Sequence, residues 1–349
     1  MNEEKHIPTV FDIAREAGVS RGTVDRVLHK RGRFSAETAG RVLDAVRKLG
    51  YTANQNAALL ASRREWTIAC LLPSFREGEY WELIHRGLDE GIPEGSNLRL
   101  LPYNYDQTDP ASFQAQCRAI LEDKPSGVIL NSVFKDGVRT FAAELDKAGI
   151  PYAFLDNKVD GQGNAFYVGI DPYRSGELGA FLLTVKTAPE EIGLIRLIRD
   201  CGHLGDPNEP RRKGFLDYLT AHFPGIKVHT IFINPSLPEE ATRILEEFSA
   251  AHPTVRHYAT TNSRIFLAAP FLKAHPDFTA VGFDDLERNL QALREGCVDF
   301  LVTHRIQEQA RLCVSLFADF LLRGAKPEPR NHYVHLDILH ALNADSYIE

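Results

Sequence analysis

Residues 10–29 of this 349-residue chain read VFDIAREAGVSRGTVDRVLH, and their apolar residues recur at helical spacing. The apolar residues of the first half share one helical face: Val10, Ile13, Ala14 and Ala17. Gly18 follows this run as a glycine does just past a helix end, and Ser20 is a strong N-cap residue for a second helix. The apolar residues of the second helix also form one stripe: Val24, Val27 and Leu28. Two short helices joined by about three residues predict a helix-turn-helix.

A third helix is predicted to complete this small domain. It begins near Ser35 and ends at Leu49, because Gly50 follows. Its apolar residues lie on one side and can close a small core: Val42, Leu43, Val46 and Leu49. The head of the chain is therefore predicted to be all-α.

The charge of the chain is unevenly distributed. Residues 1–64 carry 12 Lys+Arg and 7 Asp+Glu, a net charge of +5, whereas the remaining residues carry 28 and 40, a net charge of −12. A basic head on an acidic body indicates that the head binds a polyanion. A chance excess of a few charges fits these totals equally well, so the motif has to decide between the two explanations.

The second helix places charged residues where a helix-turn-helix meets DNA. Arg21, Gly22, Asp25 and Arg26 lie near its N-terminus or on its outer face, and this end enters the major groove in such motifs. An arginine there donates two hydrogen bonds to guanine. Asp25 lies four residues after Arg21, so it either holds Arg21 over a base edge or forms a solvent-exposed ion pair with it. Nearby basic residues suit phosphate contacts or are solvated surface charges: Lys30, Arg31, Arg33 and Arg41.

Residues 10–62 resemble the DNA-binding headpiece of the LacI/GalR (lac-repressor) family. The resemblance rests on the A-G-V-S turn, T-V-x-R-V and L-G-Y, which occur here in the family's order and spacing. It implies a sequence-specific transcriptional regulator, a repressor that binds a near-palindromic DNA operator as a homodimer. The predicted DNA contacts are Thr9, Ser20, Arg21, Gly22, Thr23, Asp25, Arg26, His29, Lys30, Arg33, Tyr51, Asn54, Ala57 and Leu60.

The same resemblance implies a hinge helix at residues 54–61, NQNAALLA. In the family, paired hinge helices insert leucines into the minor groove and kink the site, and Leu60 stands at the position of that wedge. Alternatively, Leu59 and Leu60 only pack the hinge pair together. Three positions depart from the family's usual residues: Ala53 for a proline, Ala58 for an arginine and Asp25 for a serine. The negative charge near DNA indicates that this chain reads a half-site different from the family's usual one.

From Trp66 onward, short apolar runs alternate with amphipathic stretches. Strands are predicted at 67–73, 98–104, 127–131, 151–156, 191–198, 227–233, 255–261, 279–285 and 300–305. Helices are predicted at 79–91, 110–123, 137–148, 173–186, 209–222, 238–250 and 306–323. This alternation predicts an α/β fold with doubly wound parallel sheets. Two groups of four strands predict two lobes, and ligands bind beyond the carboxyl ends of such strands.

The layout of this body is similar to the two-lobed effector domain of the same family, which resembles periplasmic sugar-binding proteins. The similarity rests on VGFDD, the strand-end Asp156 and the RRKGF segment. It implies a ligand cleft between lobes joined by three crossings of the chain. The predicted domains are a headpiece at 1–52, a hinge at 53–64 and an effector-binding and dimerisation domain at 65–349. Lobe 1 takes about 66–170 plus 304–328, and lobe 2 takes about 171–303 plus 329–349.

Polar and aromatic residues at strand ends and helix starts are the predicted effector contacts. They are Ser74, Phe75, Tyr80, Trp81, Asn131, Asp156, Asn157, Arg211, Asn262, Asp284 and His304. Carboxylates accept hydrogen bonds from sugar hydroxyls, and aromatic faces stack on a pyranose or on a base, so a sugar or sugar derivative is the expected ligand. Structural roles compete with this interpretation: strand-end aspartates cap helices, Trp81 can pack a helix and Asn262 can turn the chain.

Two departures bear on the chemistry of the cleft. The family's arginine that bridges sugar hydroxyls falls on Glu209, and Arg211 is predicted to take over its role. The family's asparagine-aspartate pair is Asn262-Ser263 here. The cleft is therefore expected to differ from that of the family's best-known members.

Other classes of protein are weakly supported by the sequence. The five cysteines form no CxxC pair, and no P-loop, GxGxxG after the first strand, GxSxG or HExxH occurs, so neither an enzyme, a metal site nor a cofactor is expected. An apolar run long enough for a membrane helix and a secretory signal were not found, which favours the cytoplasm. A sugar receptor without operator binding, and a two-lobed enzyme fused to a helix-turn-helix, remain as alternatives.

Overall fold

The computed structural model describes residues 10–28, 34–49, 65–131, 134–197, 208–324 and 327–347. The chain divides into two compact units, one made of residues 1–64 and 95–97 and the other of residues 65–94 and 98–349. Among the described residues, no helix has both the length and the apolar character needed to span a membrane.

The first unit contains the three predicted helices: α1 (Val10–Ala17), α2 (Arg21–Leu28) and α3 (Ala36–Leu49). Gly18 ends α1 with a φ of 62°, a left-handed conformation that glycine adopts without strain. Ser20 caps α2, since its Oγ accepts a hydrogen bond from the Thr23 amide at 3.2 Å. The three helices pack around fully buried side chains that include Ile13, Val24 and Val42. The predicted helix-turn-helix is confirmed.

The second unit contains twelve described strands. In chain order they are β1 (Trp66–Pro73), β2 (Leu98–Tyr105), β3 (Gly127–Leu130), β4 (Tyr152–Asp156), β5 (Phe166–Gly169), β6 (Glu191–Leu197), β7 (Lys227–Ile233), β8 (His257–Thr260), β9 (Thr279–Phe283), β10 (Phe300–Thr303), β11 (Asn331–Tyr333) and β12 (Asp337–Leu339). They form two six-stranded sheets, ordered β11-β5-β4-β3-β1-β2 in lobe 1 and β12-β10-β9-β8-β6-β7 in lobe 2. Neighbouring strands pair in parallel except β10 with β12, which are antiparallel. The α/β fold with two parallel-sheet lobes is confirmed, and three of the twelve strands, β5, β11 and β12, were not predicted.

The helices of this unit lie between the strands. They are α4 (Tyr80–Glu90), α5 (Pro110–Asp123), α6 (Lys135–Ala148), α7 (Pro172–Thr184), α8 (Glu209–His222), α9 (Glu240–Ala251), α10 (Ala269–Ala274), α11 (Glu287–Arg294) and α12 (Ile306–Arg323). Two short 3₁₀ helices are Ile265–Ala268 and Asp345–Tyr347. An aspartate followed by proline starts both α5 and α7: Asp109 accepts from the Ala111 amide at 2.9 Å, and Asp171 accepts from the Arg174 amide at 3.1 Å.

The central strands of each sheet are buried on both faces, which explains why they are almost continuously apolar. In β1, Ile68 and Ala69 point into two different core clusters of lobe 1. In β6, Leu194 and Ile195 do the same in lobe 2. The carboxyl ends of the strands therefore remain the place where polar side chains collect.

Helices α7 and α8 approach each other so closely that their backbones touch. A Cβ atom at Gly176 of α7 would lie 1.9 Å from the Arg211 carbonyl oxygen of α8. A Cβ atom at Gly214 of α8 would lie 2.0 Å from the Tyr173 carbonyl oxygen of α7. Only glycine fits at either position without moving backbone, and this packing fixes the first turn of α8.

The chain crosses between the lobes three times: between β5 and α7, between β10 and α12, and between β11 and β12. The sequence assigned 329–349 to lobe 2 as a whole, and this assignment is wrong for β11. Asn331–Tyr333 pairs with Tyr167–Gly169 in lobe 1. The third crossing lies after Tyr333, because the chain first completes the edge of one sheet and then the edge of the other.

Candidate ligand cleft and nucleic-acid interface

Four polar side chains form a continuous chain from lobe 1 to lobe 2. The Tyr80 hydroxyl donates to Asp156 Oδ1 at 2.6 Å and lies 3.2 Å from His304 Nε2. Since the only proton of Tyr80 goes to Asp156, its oxygen accepts from Nε2–H of the histidine. His304 Nδ1 then faces Asp284 Oδ1 at 3.5 Å. This polar chain starts at the end of β4, passes the start of α4 and the second crossing between the lobes, and ends after β9 in lobe 2.

Both carboxylates of this chain lie on strained backbone at strand ends. Asp156 has a φ of 70° and Asp284 a φ of 68°, in the left-handed region that side chains rarely adopt. Such strain concentrates at functional sites. Asn131 and Asn157 donate to Asp156 Oδ2 at 3.3 and 3.1 Å, which fixes its orientation.

Arg211, in the first turn of α8, is the cation of the cleft and is only 8% exposed. Its Nε donates to Ser175 Oγ and one Nη to the Thr261 carbonyl oxygen, both at 3.1 Å. Its guanidinium lies 4.4 Å from the centre of the Phe283 ring. These bonds use two of its five N–H groups, which leaves donors for a ligand.

Burial dominates the electrostatics of this site. It raises the pKa of Asp284 to about 7, against the opposing effect of Arg211. It also raises the pKa of Asp156, while the hydrogen bond from Tyr80 and the charge of Arg211 act in the opposite direction. Burial, followed by the charge of Arg211, lowers the pKa of His304 to about 3. The site therefore holds an uncharged imidazole and a carboxyl group that titrates near neutral pH.

Several buried polar atoms at this site reach hydrogen-bond geometry with no described protein atom. They are Asn131 Oδ1, Asp284 Oδ1 and both amide atoms of Gln309. Gln309 is fully buried in the first turn of α12 and is among the groups that lower the pKa of Asp156. Buried polar groups in proteins are nearly always paired, so these atoms are available to pair with a polar ligand. Sequence reasoning missed Gln309, because one more polar residue in an amphipathic helix gives no signal.

An ion pair that the sequence did not predict also joins the lobes. Arg264 of lobe 2 donates to Glu79 Oε1 of lobe 1 at 3.0 Å, and both side chains are less than one third exposed. The two residues lie 185 positions apart. Neither belongs to a recognisable motif, so only the folded chain reveals the contact.

The remaining predicted effector residues lie outside this polar chain. Ser74 and Phe75 are exposed after β1. Trp81 is 8% exposed and belongs to a core cluster of lobe 1, which is the packing role that the sequence left open. Asn262 accepts from the Arg264 amide at 3.0 Å and so turns the chain.

The substitution of the family's arginine by Glu209 has a structural consequence. Glu209 pairs with Arg212 through two hydrogen bonds of 2.8 and 2.6 Å. Arg211, two positions further along, is the residue that points into the cleft. The predicted transfer of the sugar-binding role from position 209 to Arg211 stays a prediction.

The nucleic-acid interface is described only in part. Ser20, Arg21, Gly22 and Arg26 are exposed at the start and on the outer side of α2. Arg26 donates to the Gly22 carbonyl oxygen at 3.1 Å and to Thr23 Oγ1 at 3.2 Å, so its guanidinium lies along its own helix. The following predicted contacts lie outside the described residues: Thr9, His29, Lys30, Arg33, Tyr51, Asn54, Ala57 and Leu60. The side chain of Asp25 is likewise not described, so its pairing with Arg21 stays a prediction.

Comparisons with known proteins agree with this architecture. Residues 9–54 match the family described as bacterial regulatory proteins, lacI family, and residues 68–326 match the periplasmic binding protein domain. The HTH-type transcriptional regulator GntR of Pseudomonas aeruginosa is 28% identical over 293 residues, which cover 80% of each chain. The sucrose operon repressor of Pediococcus pentosaceus is 27% identical over 239 residues, or 68% of this chain and 67% of the relative. A crystal structure titled "putative LacI transcriptional regulator" from Bacteroides fragilis has 30% identity and a TM-score of 0.75, and the match covers 81% of this chain and all of that one.

Proposed function

Because this chain belongs to the lacI family of bacterial regulatory proteins and carries a periplasmic-binding-protein domain, we propose that a sugar or sugar derivative in its cleft controls its binding to an operator. The chain is a DNA-binding transcription regulator, and its family comprises regulators rather than enzymes. In the proposal it represses as a homodimer, with one headpiece on each half of a near-palindromic site. The observation that carries it is the polar chain from Asp156 to Asp284, which spans both lobes beside Arg211.

The chemistry of the cleft suits a polyhydroxylated molecule. Asp156 and Asp284 offer carboxyl oxygens to hydroxyl donors, and the remaining N–H groups of Arg211 offer donors to ring or hydroxyl oxygens. The buried amide of Gln309 can both donate and accept hydrogen bonds. The name of the sucrose operon repressor supports a sugar as the class of ligand.

The placement of these groups supports control of DNA binding by the ligand. The proposed ligand contacts come from β4 and α12 in lobe 1 and from α8 and the end of β9 in lobe 2. A ligand between them therefore favours the arrangement in which both lobes contact it. A ligand shifts the equilibrium only as far as it prefers one arrangement of the lobes. The pair of Glu79 with Arg264 stabilises the same arrangement.

Selection of bound sequences from random duplex DNA, with and without a panel of sugars, tests this function. We expect a palindrome of about 14–20 base pairs that one sugar either releases or tightens. If no sequence is enriched under any sugar, operator binding is wrong and a receptor without operator binding takes its place. If a palindrome is enriched but no sugar changes its recovery, the operator stands and the ligand class is wrong.

Arg21→Ala is expected to relax the base preference at one position of the half-site, with a loss of about 1–3 kcal/mol on the preferred base. Lys30→Ala, which removes a phosphate contact, should weaken binding to all sequences alike and reduce its salt dependence. Affinities for single-base variants of the selected site, measured at two salt concentrations, separate the two outcomes. Identical profiles for both variants would show that α2 is placed wrongly in the groove.

Arg211→Met is expected to weaken binding of the selected sugar roughly 10- to 100-fold, since a hydrogen bond to a charged group contributes about 1.5–3 kcal/mol. Arg212→Met is the matched control, because Arg212 is the next residue in the same helix turn but pairs with Glu209. Calorimetric titration of both variants measures the difference, and DNA binding without sugar checks that each is folded. Equal sugar affinities of the two variants would contradict the assignment of Arg211.

A further inference from the structure

Lobe 2 carries a second cluster of polar side chains at the edge of its sheet opposite the cleft. Glu191 starts β6, His229 lies in the edge strand β7, and His252 follows the end of α9. One possible ligand atom from each of these residues lies within 4.8 Å of the others. Among the described residues, it is the one cluster of three metal-ligating side chains with this spacing.

The local fold holds the three side chains together. Parallel pairing puts Glu191 beside Lys227 and Gly193 beside His229, so the glutamate and the histidine lie diagonally on one face. His229 Nε2 lies 2.9 Å from Glu191 Oε2. The two imidazole rings are 4.4 Å apart, and Phe248 of α9 packs against both, at 5.7 Å from His229 and 4.6 Å from His252. The donors are thus arranged before any ligand arrives.

We propose that this cluster binds a divalent transition-metal ion, with Zn²⁺ as the reference ion. Two imidazole nitrogens and one carboxylate oxygen are a donor set that zinc accepts, with a fourth position left to water. Bonds of about 2.0–2.2 Å in a tetrahedron place ligand atoms about 3.3 Å apart, so the cluster has to contract by roughly 1.5 Å at its widest. The side chains of Glu191 and His229 are only 17% and 25% exposed, but His229 lies in the edge strand β7, which has a neighbouring strand on one side only and can adjust.

One neighbouring cation opposes this binding. Lys227 Nζ donates to Glu191 Oε1 at 2.9 Å. Its side chain is 69% exposed, so the ammonium group can turn into solvent when the metal arrives. Once bound, the metal ties β6, β7 and the end of α9 together and stabilises the folded edge of lobe 2 by mass action.

The test uses the full chain without an affinity tag and measures Zn²⁺ binding by calorimetric titration and Co²⁺ binding by visible absorption. We expect one zinc ion per chain at this site, a tetrahedral cobalt spectrum, and a rise in the unfolding temperature with zinc. His252→Gln should weaken zinc binding at least tenfold and abolish both the cobalt spectrum and the thermal shift. Glu191→Gln should weaken zinc binding and reduce the cobalt absorption and the thermal shift, but less than His252→Gln does, because both imidazoles remain.

His275→Gln is the matched control, since His275 also pairs with a glutamate of lobe 2, Glu246, at 3.3 Å. It should bind zinc and cobalt as the unaltered chain does. Circular dichroism without metal shows that each variant is folded. The proposal is overturned if the unaltered chain takes up no zinc, or if His252→Gln and His275→Gln bind it equally. Neither result depends on operator or sugar binding.

Discussion

Gly176→Ala is expected to lower the free energy of unfolding by about 3 kcal/mol, the upper end of the usual range for overpacked sites. The new methyl group would lie 1.9 Å from the Arg211 carbonyl oxygen, and the obstacle is backbone, which cannot turn aside. Helices α7 and α8 have to separate, and the first turn of α8 moves with them. Because that turn carries Arg211, sugar affinity should fall together with stability.

Urea unfolding followed by circular dichroism measures the first effect, and titration with the selected sugar measures the second. Arg174→Ala is the control on the same helix, because Arg174 is 69% exposed and only forms a surface pair with Glu177. It should change stability by about 0.5 kcal/mol or less. If Gly176→Ala is no more destabilising than Arg174→Ala, the two helices are not in backbone contact.

Single replacements of His304 and Asp284 are expected to change stability with pH in opposite directions. At pH 5 the unfolded chain has a charged His304 and a charged Asp284, with one proton between them. The folded chain, with a pKa of about 3 for His304 and about 7 for Asp284, has both groups neutral and also holds one proton. Because folding takes up no net proton from this pair, its contribution to stability is nearly constant between roughly pH 4 and 6.5.

When one of the two residues is replaced, the proton that the other takes up or releases on folding is no longer compensated. In His304→Gln the raised pKa of Asp284 remains, so stability is present at low pH and is lost as pH rises through about 7. In Asp284→Asn the lowered pKa of His304 remains, so stability is present at high pH and is lost as pH falls below about 6.5. Between pH 7 and pH 5, the first variant should gain, and the second lose, about 2 kcal/mol relative to the unaltered chain.

Urea unfolding of both variants at pH 5 and pH 7 measures these changes. The unaltered chain supplies the baseline, because all other titrating groups are shared. Parallel pH dependence of the three proteins would mean that the pair keeps its charges in the folded state. A common direction for both variants would contradict the separate assignments of pKa to His304 and Asp284.

The helix-turn-helix and the alternating body were predictable because their signals are local. Gly18 and Ser20 mark a turn by their own chemistry, and the strands of the body are buried runs between amphipathic helices. The short strands β5, β11 and β12 were not predicted. β5 is a four-residue run with no period of its own, and β11 and β12 are three-residue edge strands whose pairing depends on distant segments.

The residues of the candidate site also divide into those with a local signal in the sequence and those without one. Asp156 was predicted because it ends a strand, and Asp284 and His304 because they directly follow one; parallel strands bring their carboxyl ends to one edge of the sheet. Trp81 carried the same positional signal, but the spacing of α4 turns it into the core of lobe 1. The contact of Glu79 with Arg264 and the position of Gln309 depend on the closure of two lobes, which no local pattern encodes.

The interleaved path of the chain also determines when each part of the protein can fold during its synthesis. The last strands, Asn331–Tyr333 and Asp337–Leu339, complete the edges of different sheets. Translation therefore has to reach Tyr333 before lobe 1 has all of its strands, and Leu339 before lobe 2 does. The three helices of the headpiece, by contrast, are complete at Leu49. At about 5–20 residues per second, the nascent chain carries a foldable headpiece for many seconds before the domain that regulates it exists. During that time unpaired strand edges are exposed, and such edges can pair with other chains.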